Sequence, residues 1–491
     1  MAVPIDELVA ALGDPAAVLR DDLDRYRVPA RGPAGALEVV VRPADVAAIR
    51  TTIDWARRHG VHLLPQGANS GLAGASTPGP EGGVVVLSTE RLRGTPGIDP
   101  VGRTAVVDAG TRLSELNELL APYGLSFAID LGADPSIGGM VATNTGGARM
   151  LRYGDVRRHV LGVQAVLADA EVSVVDELTV LAKDNTGLAL SQLFVGSGGT
   201  LGVITRVALR LDVLPASRSC AWLVPRDDTA MIEIVDRLER DAAAWLSAIE
   251  VCSAAALRTT LEQVPGLHAP FGAHEVPPLA ALVEFAGPDG AEDALVAALA
   301  DLEAADLLED AVVGPPEQVW ALRHSVSEGL ARAGTIVGFD VAVARSRVAE
   351  LVHTVRAEVH RSFPRTMVAD FGHWGDGGVH CSVVVPPAAP LEPAELDALR
   401  ELVFGIVVDR FDGSFSGEHG IGPINASWWA RTRSPGSQRL SKALVEVCDP
   451  LGVLGHPAMP YRDRPSGDGP SHDGSSAAAK PGSTRSTPPA R

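Results

Sequence analysis

Glycine is concentrated in two regions of the chain, and its placement constrains the fold more than any other feature. The first region holds PQGANSGLAGAS (Pro65–Ser76), DLGADPSIGGMVATNTGGARMLRYGD (Asp130–Asp155) and LFVGSGGTLGVITRV (Leu193–Val207). The second holds HWGDGGVH (His373–His380) and GSFSGEHGIG (Gly413–Gly422). Residues without a Cβ let backbone approach a ligand closely and take up turns closed to other side chains. The first set suits a large anionic ligand cradled by consecutive backbone N–H groups. The second gathers three imidazoles and a carboxylate around glycine turns, which suits a metal-assisted site.

At 491 residues the chain exceeds one ordinary core, so two or three domains are expected. A formal charge of −19 argues against nucleic acid, whose phosphates would be repelled. It does not oppose a small anionic substrate, because local arginines can outweigh net charge. Cys220, Cys252, Cys381 and Cys448 show no CxxC spacing. That suits a reducing compartment and argues against a cysteine-ligated metal or iron–sulfur cluster. The first residues carry acids and lack the basic start and apolar core of a signal peptide. No uninterrupted apolar run reaches the ~20 residues that span a bilayer. A cytoplasmic protein without a transmembrane segment is expected.

Residues 1 to about 30 read as helix, with Leu8, Leu12 and Leu19 among charges. ALEVVVRPADVAAIRTTIDWARRHG reads as a strand, a break at proline, and an amphipathic helix stopping at Gly60. VHLLP, GGVVVLST and TAVVDAG read as strands, and RLSELNELLAPYG as a helix ending at Gly124. VLGVQAVLADAEVSVV reads as a hairpin, and GTLGVITRVALRL as a long strand. Beyond about Leu214 the chain turns Ala- and Leu-rich, and its alternation predicts an antiparallel sheet backed by helices. WALRHSVSEGL reads as one helix that places Arg323 and Ser327 on one face. The tail from about Asp463 has almost no apolar residues and reads as disordered.

Gly67, Gly71 and Gly74 are spaced GxxxGxxG, so the loop is not the GxGxxG dinucleotide fingerprint. It offers consecutive backbone N–H groups, with the Asn69 and Ser70 side chains beside them. Gly138-Gly139, Thr143-Asn144 and Gly146-Gly147 give a second approach surface, and GSGGTLG (Gly196–Gly202) a third.

PQGANSGLAG, LSTERL, DLGADPSIGGMVATNTGG, RYGDVRRHVLG, KDNTGLALSQLFVGS and GTLGVIT occur in that order. As an ordered set they resemble the flavin domain of the vanillyl-alcohol oxidase / p-cresol methylhydroxylase superfamily. More narrowly, they resemble FAD-linked D-2-hydroxyacid dehydrogenases of the D-2-hydroxyglutarate and D-lactate type. The resemblance runs from about residue 36 to about 460. It implies an α+β fold: a two-subdomain, p-cresol-methylhydroxylase-type FAD-binding domain, an antiparallel-sheet cap domain, and a C-terminal segment returning to the active site. The expected divisions are an N-terminal helical segment 1–35, the FAD-binding domain 36–214, the cap 215–400, the C-terminal active-site segment 401–462 and the tail 463–491. FAD contacts are expected from Pro65, Gln66, Gly67, Ala68, Asn69, Ser70, Gly71 and Leu72, from Ser136, Gly138, Gly139, Ala142, Thr143, Asn144, Gly146 and Gly147, and from Gly202 and Ile204. The phosphate loop contains no His, and His62 upstream suits a structural role, so the FAD is expected to be non-covalent.

The resemblance implies that His373, His380 and Glu418 ligate a divalent metal, expected to be zinc, and that His419 is the general base. Such a metal lowers the pKa of the substrate's 2-hydroxyl and orients it. A His of near-neutral pKa removes the hydroxyl proton, and the Cα hydrogen leaves as hydride to flavin N5. Arg323 and Ser327 are expected to bind the substrate carboxylate. The product is a 2-oxoacid. An electron-transfer flavoprotein or a quinone is the implied acceptor, and a homodimer is compatible with this reading.

Several positions depart from the 2-hydroxyglutarate pattern. The Lys expected before the aromatic–Asp pair is Gly338. Two expected Asn residues are Gly378 and Ser382, an expected Lys is Asn425, and an expected Glu is Gly198. DPLGVLGHPAM (Asp449–Met459) replaces an ending that would supply Asn and Lys. The lost Lys favours a monocarboxylate or a less charged 2-hydroxyacid. The alternatives are a related flavin oxidase, a lyase-type flavoenzyme such as alkyldihydroxyacetonephosphate synthase, and a partner-dependent FAD-binding subunit.

Overall fold

The computed structural model describes residues 4–271 and 276–462, so the expected tail at 463–491 lies outside the described residues. The expected N-terminal helix is broken into Ile5–Leu12, a 3-10 turn, a short strand Val18–Leu19 and a helical turn Asp24–Arg27. Gly13, at φ 62, closes the first helix in the left-handed region, and Asp14 then caps a turn that begins at Pro15.

The first sheet has four strands, in the order Val18–Leu19, Val40–Val41, Val84–Ser88, His62–Gln66. Val40–Val41 and His62–Gln66 both run parallel to Val84–Ser88. The connecting helix Val46–His59 buries Ile49, Ile53 and Trp55 on one face. Asp45 caps it, and Gly60 at φ 63 ends it, the stop being the one expected from the sequence. The second sheet has five strands, in the order Gly97–Asp99, Thr104–Asp108, Val203–Arg210, Val160–Val166, Val174–Asp176. Its last pair is the expected hairpin. Helix residues of Val46–His59 and residues of both sheets share one apolar core.

The third sheet has seven strands with antiparallel pairings, ordered Leu308–Gly314, Ser217–Pro225, Leu279–Gly287, Leu246–Ser253, Met367–Gly372, Gly378–Val385, Thr335–Ala342. Helices Asp228–Asp241, Ala291–Ala304 and Val348–Ser362 cover one face. Helices Ala254–Gln263, Pro316–His324 and Val326–Ala333 pack on the other. The α+β expectation therefore holds. The helix expected from WALRHSVSEGL is divided at Ser325, whose hydroxyl donates to Ala321 O at 2.8 Å. Arg323 and Ser327 thus belong to two consecutive helices rather than to one face.

Two features place the site. In Thr335–Ala342 the period of two sends Val337, Phe339 and Val341 into the core, leaving Gly338 and Asp340 on the opposite face. Their partners across the ladder are Ser382 and His380. The glycine turn from His373 to Gly377 joins Met367–Gly372 to Gly378–Val385 and brings His373 to the same end.

Candidate active site

One cavity of about 750 Å³ runs between the glycine loops of the first half and the third sheet. That size falls within the roughly 300–1,000 Å³ typical of cofactor and ligand pockets. Every expected FAD residue lines it except Asn144. Asn144 instead caps its helix at φ 52, donates to Asp155 at 2.8 Å and accepts from the Arg157 N–H at 3.0 Å. Asn69 lines the wall, but its amide works on the protein. Nδ2 donates to the carbonyls of Arg25, Tyr26 and Val28, and Oδ1 accepts from Ser76 and Thr77. Gln66 Nε2 likewise donates to Tyr26 O at 2.8 Å and Ser76 O at 2.6 Å.

The loop itself remains unspent. Among the described residues, no backbone N–H from Ala68 to Leu72 donates to a protein acceptor. Such a run of free donors fits a pyrophosphate. Gly67 leaves room for the Ser136 hydroxyl that caps the following helix; a Cβ there would force that hydroxyl to turn away. A Cβ on Gly146 would strike Glu418 Oε2, so the first half of the chain yields space to the carboxylate of the second.

Glu418 is the centre of the polar end. Its Oε1 lies 3.4 Å from His380 Nε2, 3.5 Å from His373 Nε2 and 4.0 Å from His419 Nε2. The His380 and His419 rings stack at 5.2 Å, and His373 meets His380 edge-on. The turn bearing Glu418 and His419 is held from below: Asp340 Oδ2 accepts both of their backbone N–H groups at 2.7 Å. Burial pushes the Glu418 carboxyl up, but hydrogen bonds from His373 and His380 outweigh it and hold it well below the usual range. Burial pushes the His419 imidazole below its ordinary value, against the opposing charge of Asp340.

Two donor sets can be drawn here. Asp340, His380, Glu418 and His419 bring one ligand atom each to within 4.8 Å of one another. The expected set replaces Asp340 and His419 with His373. Both share His380 and Glu418.

Arg323 and Ser327 line the cavity despite the helix break. Arg323 Nε is engaged by Glu250 Oε2 at 2.6 Å, and the guanidinium lies over the Phe371 ring. Glu250 is fully buried between Arg323 and His373. Its Oε1 is 2.6 Å from His373 Nδ1, a close contact without the alignment of a hydrogen bond. Burial raises the Glu250 carboxyl, but Arg323 and His373 overcome this and hold it at about 2. Sequence reasoning missed Glu250 and Asp340, and also Arg31, which lines the cavity from the N-terminal segment. Asp340 alone had a signal, its place two residues after the missing Lys.

The sequence matches the FAD binding domain family over residues 37–176 and the C-terminal domain of FAD linked oxidases over residues 214–456. The mitochondrial D-2-hydroxyglutarate dehydrogenase of Bos taurus is 32% identical over 440 residues, 88% of this chain and 78% of that protein. The D-2-hydroxyglutarate dehydrogenase of Xanthomonas citri pv. viticola is 33% identical over 427 residues, 84% of this chain and 87% of that one. Among solved structures, an alkyldihydroxyacetonephosphate synthase superposes with a TM-score of 0.70 at 16% identity, covering 92% of this chain and 85% of that one. Substrate-bound p-cresol methylhydroxylase also gives 0.70 at 16% identity, covering 92% and 95%. The structural likeness shows the fold, and the sequence matches reach both sides of the cavity. The chain therefore belongs to the FAD-linked oxidase family, alongside the D-2-hydroxyglutarate dehydrogenases.

Proposed function

We propose that this enzyme oxidises a D-2-hydroxyacid to the 2-oxoacid. The observation that supports it most is the convergence of three imidazoles on Glu418 at the end of a cavity whose other end is a loop of free N–H donors. The D configuration follows the names of the relatives. The free donors from Ala68 to Leu72 fit the pyrophosphate of FAD, and bound FAD supplies the acceptor for the hydride leaving the substrate's C2. The donor set also fits a divalent ion. His373, His380 and Glu418 would hold it, and it would supply a Lewis acid for the 2-hydroxyl. His373 suits this set because the Glu250 carboxylate stands 2.6 Å from its Nδ1, where a small turn of the ring would give the hydrogen bond that orients a ligating imidazole. Asp340 suits it less, since its Oδ2 already accepts two backbone N–H groups.

His419 is left to take the hydroxyl proton. Burial holds its pKa low, which keeps the ring neutral and able to accept. Arg323 receives the substrate's C1 carboxylate through nitrogens that Glu250 does not use, with Ser327 beside it. Glu250 holds the guanidinium in place and tempers its charge. Reoxidation by an electron-transfer flavoprotein or a quinone completes the proposed cycle.

The test is anaerobic bleaching of the flavin's visible absorbance against a panel of D- and L-2-hydroxyacids. Bleaching by D-acids alone is expected. Yellow, metal-loaded protein that no 2-hydroxyacid bleaches would refute the proposal.

A further inference from the structure

The turn that carries Glu418 and His419 is built onto the open edge of the third sheet. Thr335–Ala342 is the last strand of that sheet, so among the described residues one of its edges has no strand beside it. Such an edge presents unpaired N–H and C=O groups. Here the segment leading into the turn takes them up. Ser414 N–H donates to Ala342 O at 2.7 Å, Ala342 N–H to Ser414 O at 3.1 Å, and Gly417 N–H to Asp340 O at 3.0 Å. The Asp340 side chain carries the pairing one step further, because its Oδ2 accepts the N–H groups of Glu418 and His419 at 2.7 Å each. Two consecutive N–H groups converging on one anion make a nest. At Glu418 and His419 the protein's own carboxylate fills it.

Two glycines leave room for this arrangement. A Cβ on Gly417 would stand 2.7 Å from Asp340 Oδ1, and its three nearest atoms all belong to that carboxylate. The carboxylate could yield only by turning away from the N–H groups it accepts. Gly417 lies outside the left-handed region, so alanine there would bring no backbone strain of its own. On the other side, a Cβ on Gly146 would strike Glu418 Oε2. Glu418 is thereby confined between the sheet edge and a glycine loop of the first half. Asp340 is also the ladder partner of His380, whose Nδ1 lies 3.5 Å from Oδ1. The Asp340 side chain is only 9% exposed, and a carboxylate without donors would be costly there. The two N–H groups of the turn supply those donors.

We propose that Asp340 is a positioning residue rather than an ion ligand. It locks the turn to the sheet edge and, through one oxygen, aims Glu418 at the ion and His419 at the substrate hydroxyl. Glycine is required at 417 because Asp340 occupies the space of its side chain. The inference rests on the roles given above to Glu418 and His419.

Hydrogen exchange of the FAD-loaded enzyme, read by mass spectrometry on peptides containing Glu418 and His419, tests the lock without turnover. Asp340→Ala should speed exchange of these amides by about 10–100-fold, the worth of hydrogen bonds to a charged group, with the first two sheets unmoved. Asp340→Asn keeps an oxygen for the two N–H groups and should lie between. Zn²⁺ affinity, read by competition with a chelating dye, should fall by about 10–100-fold in Asp340→Ala and by less in Asp340→Asn. Flavin reduction should follow the same order. Gly417→Ala, which leaves Asp340 in place, should reproduce much of the Asp340→Ala effect alone and add nothing in the Asp340→Ala background. Unchanged exchange in Asp340→Ala would overturn the proposal. So would a Gly417→Ala effect that adds in full to that of Asp340→Ala. Loss of Zn²⁺ as complete in Asp340→Asn as in Asp340→Ala, with the turn's exchange unmoved, would overturn it too and make Asp340 a ligand. The expected exchange pattern in an enzyme that binds no Zn²⁺ would support the lock while refuting the ion. The same pattern in an enzyme that no 2-hydroxyacid bleaches would support the lock while refuting the dehydrogenase reading.

Discussion

His419 shares Glu418 with two other imidazoles but differs from His373 in what stands behind its ring. His373 has the buried Glu250 carboxylate 2.6 Å from Nδ1, whereas Asp340 stands off at 3.6 Å from His419 Nδ1. The first arrangement steadies a ligand; the second leaves an imidazole free to gain and lose a proton. His419→Ala should therefore cut flavin reduction by about 10²–10⁴-fold, the usual worth of a general base, with metal and FAD content unchanged. Rapid-mixing reduction kinetics with elemental analysis read both quantities. Loss of metal in His419→Ala would instead assign His419 to the donor set with Asp340. The two His residues and the Glu-His pair stood out in the sequence because glycines crowd around them, although His380 itself lies in the strand Gly378–Val385. Glu250 was not, because LSAIEVCS reads as an apolar strand and its one acid gives no spacing. Arg31 was hidden for the opposite reason: it lies in an irregular stretch where charge is unremarkable, and only the fold brings it to Gly338.

The strand Leu279–Gly287 carries one acid, Glu284, and that side chain ties three elements together. Arg149, from the FAD-binding half, donates to it at 2.8 and 3.2 Å, and Trp320 Nε1, from the helix bearing Arg323, donates at 2.9 Å. Arg218, Ser247 and the Cys220 thiol complete its shell. Burial pushes the Glu284 carboxyl up, but Arg149 and Arg218 outweigh it and hold it at about 2. A carboxyl lowered on folding stabilises fully above its ordinary value of 4.5, and that stability is lost as pH falls toward about 2. Glu284→Gln should cost about 1–3 kcal/mol near neutral pH, less than a fully buried pair would, because Arg149 keeps Asp130 and Arg218 is partly exposed. The deficit should shrink as pH falls through that window. Unfolding curves for wild type and variant at several pH values between about 3 and 7 make the comparison. A deficit that does not change with pH would show that lost packing, not charge, is responsible. The helix ended by Gly60 was legible from its punctuation, and the hairpin of Val160–Val166 with Val174–Asp176 from two β-branched runs around a short polar stretch. The break at Ser325 was not, because neither glycine nor proline marks it and the apolar spacing continues through it.

At the scale of the whole molecule, the cavity lies where distant parts of the chain meet. The glycine loops form one wall, the third sheet forms the other, and Arg31 enters from the N-terminal segment. The C-terminal segment returns beside the loop strand, with Leu63 N–H donating to Val453 O at 2.7 Å and Gly455 N–H to Leu63 O at 3.1 Å. That return occupies His62, whose Nε2 is 2.5 Å from Gly455 O. The histidine nearest the loop thus has a structural partner, and the loop from Gln66 to Ser70 contains none. FAD should accordingly be non-covalent: acid precipitation should leave the yellow colour in solution, and colour retained by the pellet would refute this. A dissociable ligand that touches both walls also stabilises both by mass action. At a free concentration near 100 times its Kd, FAD should add about 2.7 kcal/mol. Because Arg149 spans Asp130 at 3.0 Å and Glu284 at 2.8 Å, the two halves are joined even without it. One cooperative transition is therefore expected, moving to higher temperature as FAD is added. Calorimetry that resolves two transitions, with FAD moving only the one that belongs to the glycine-loop half, would show that the third sheet takes no share in holding the cofactor.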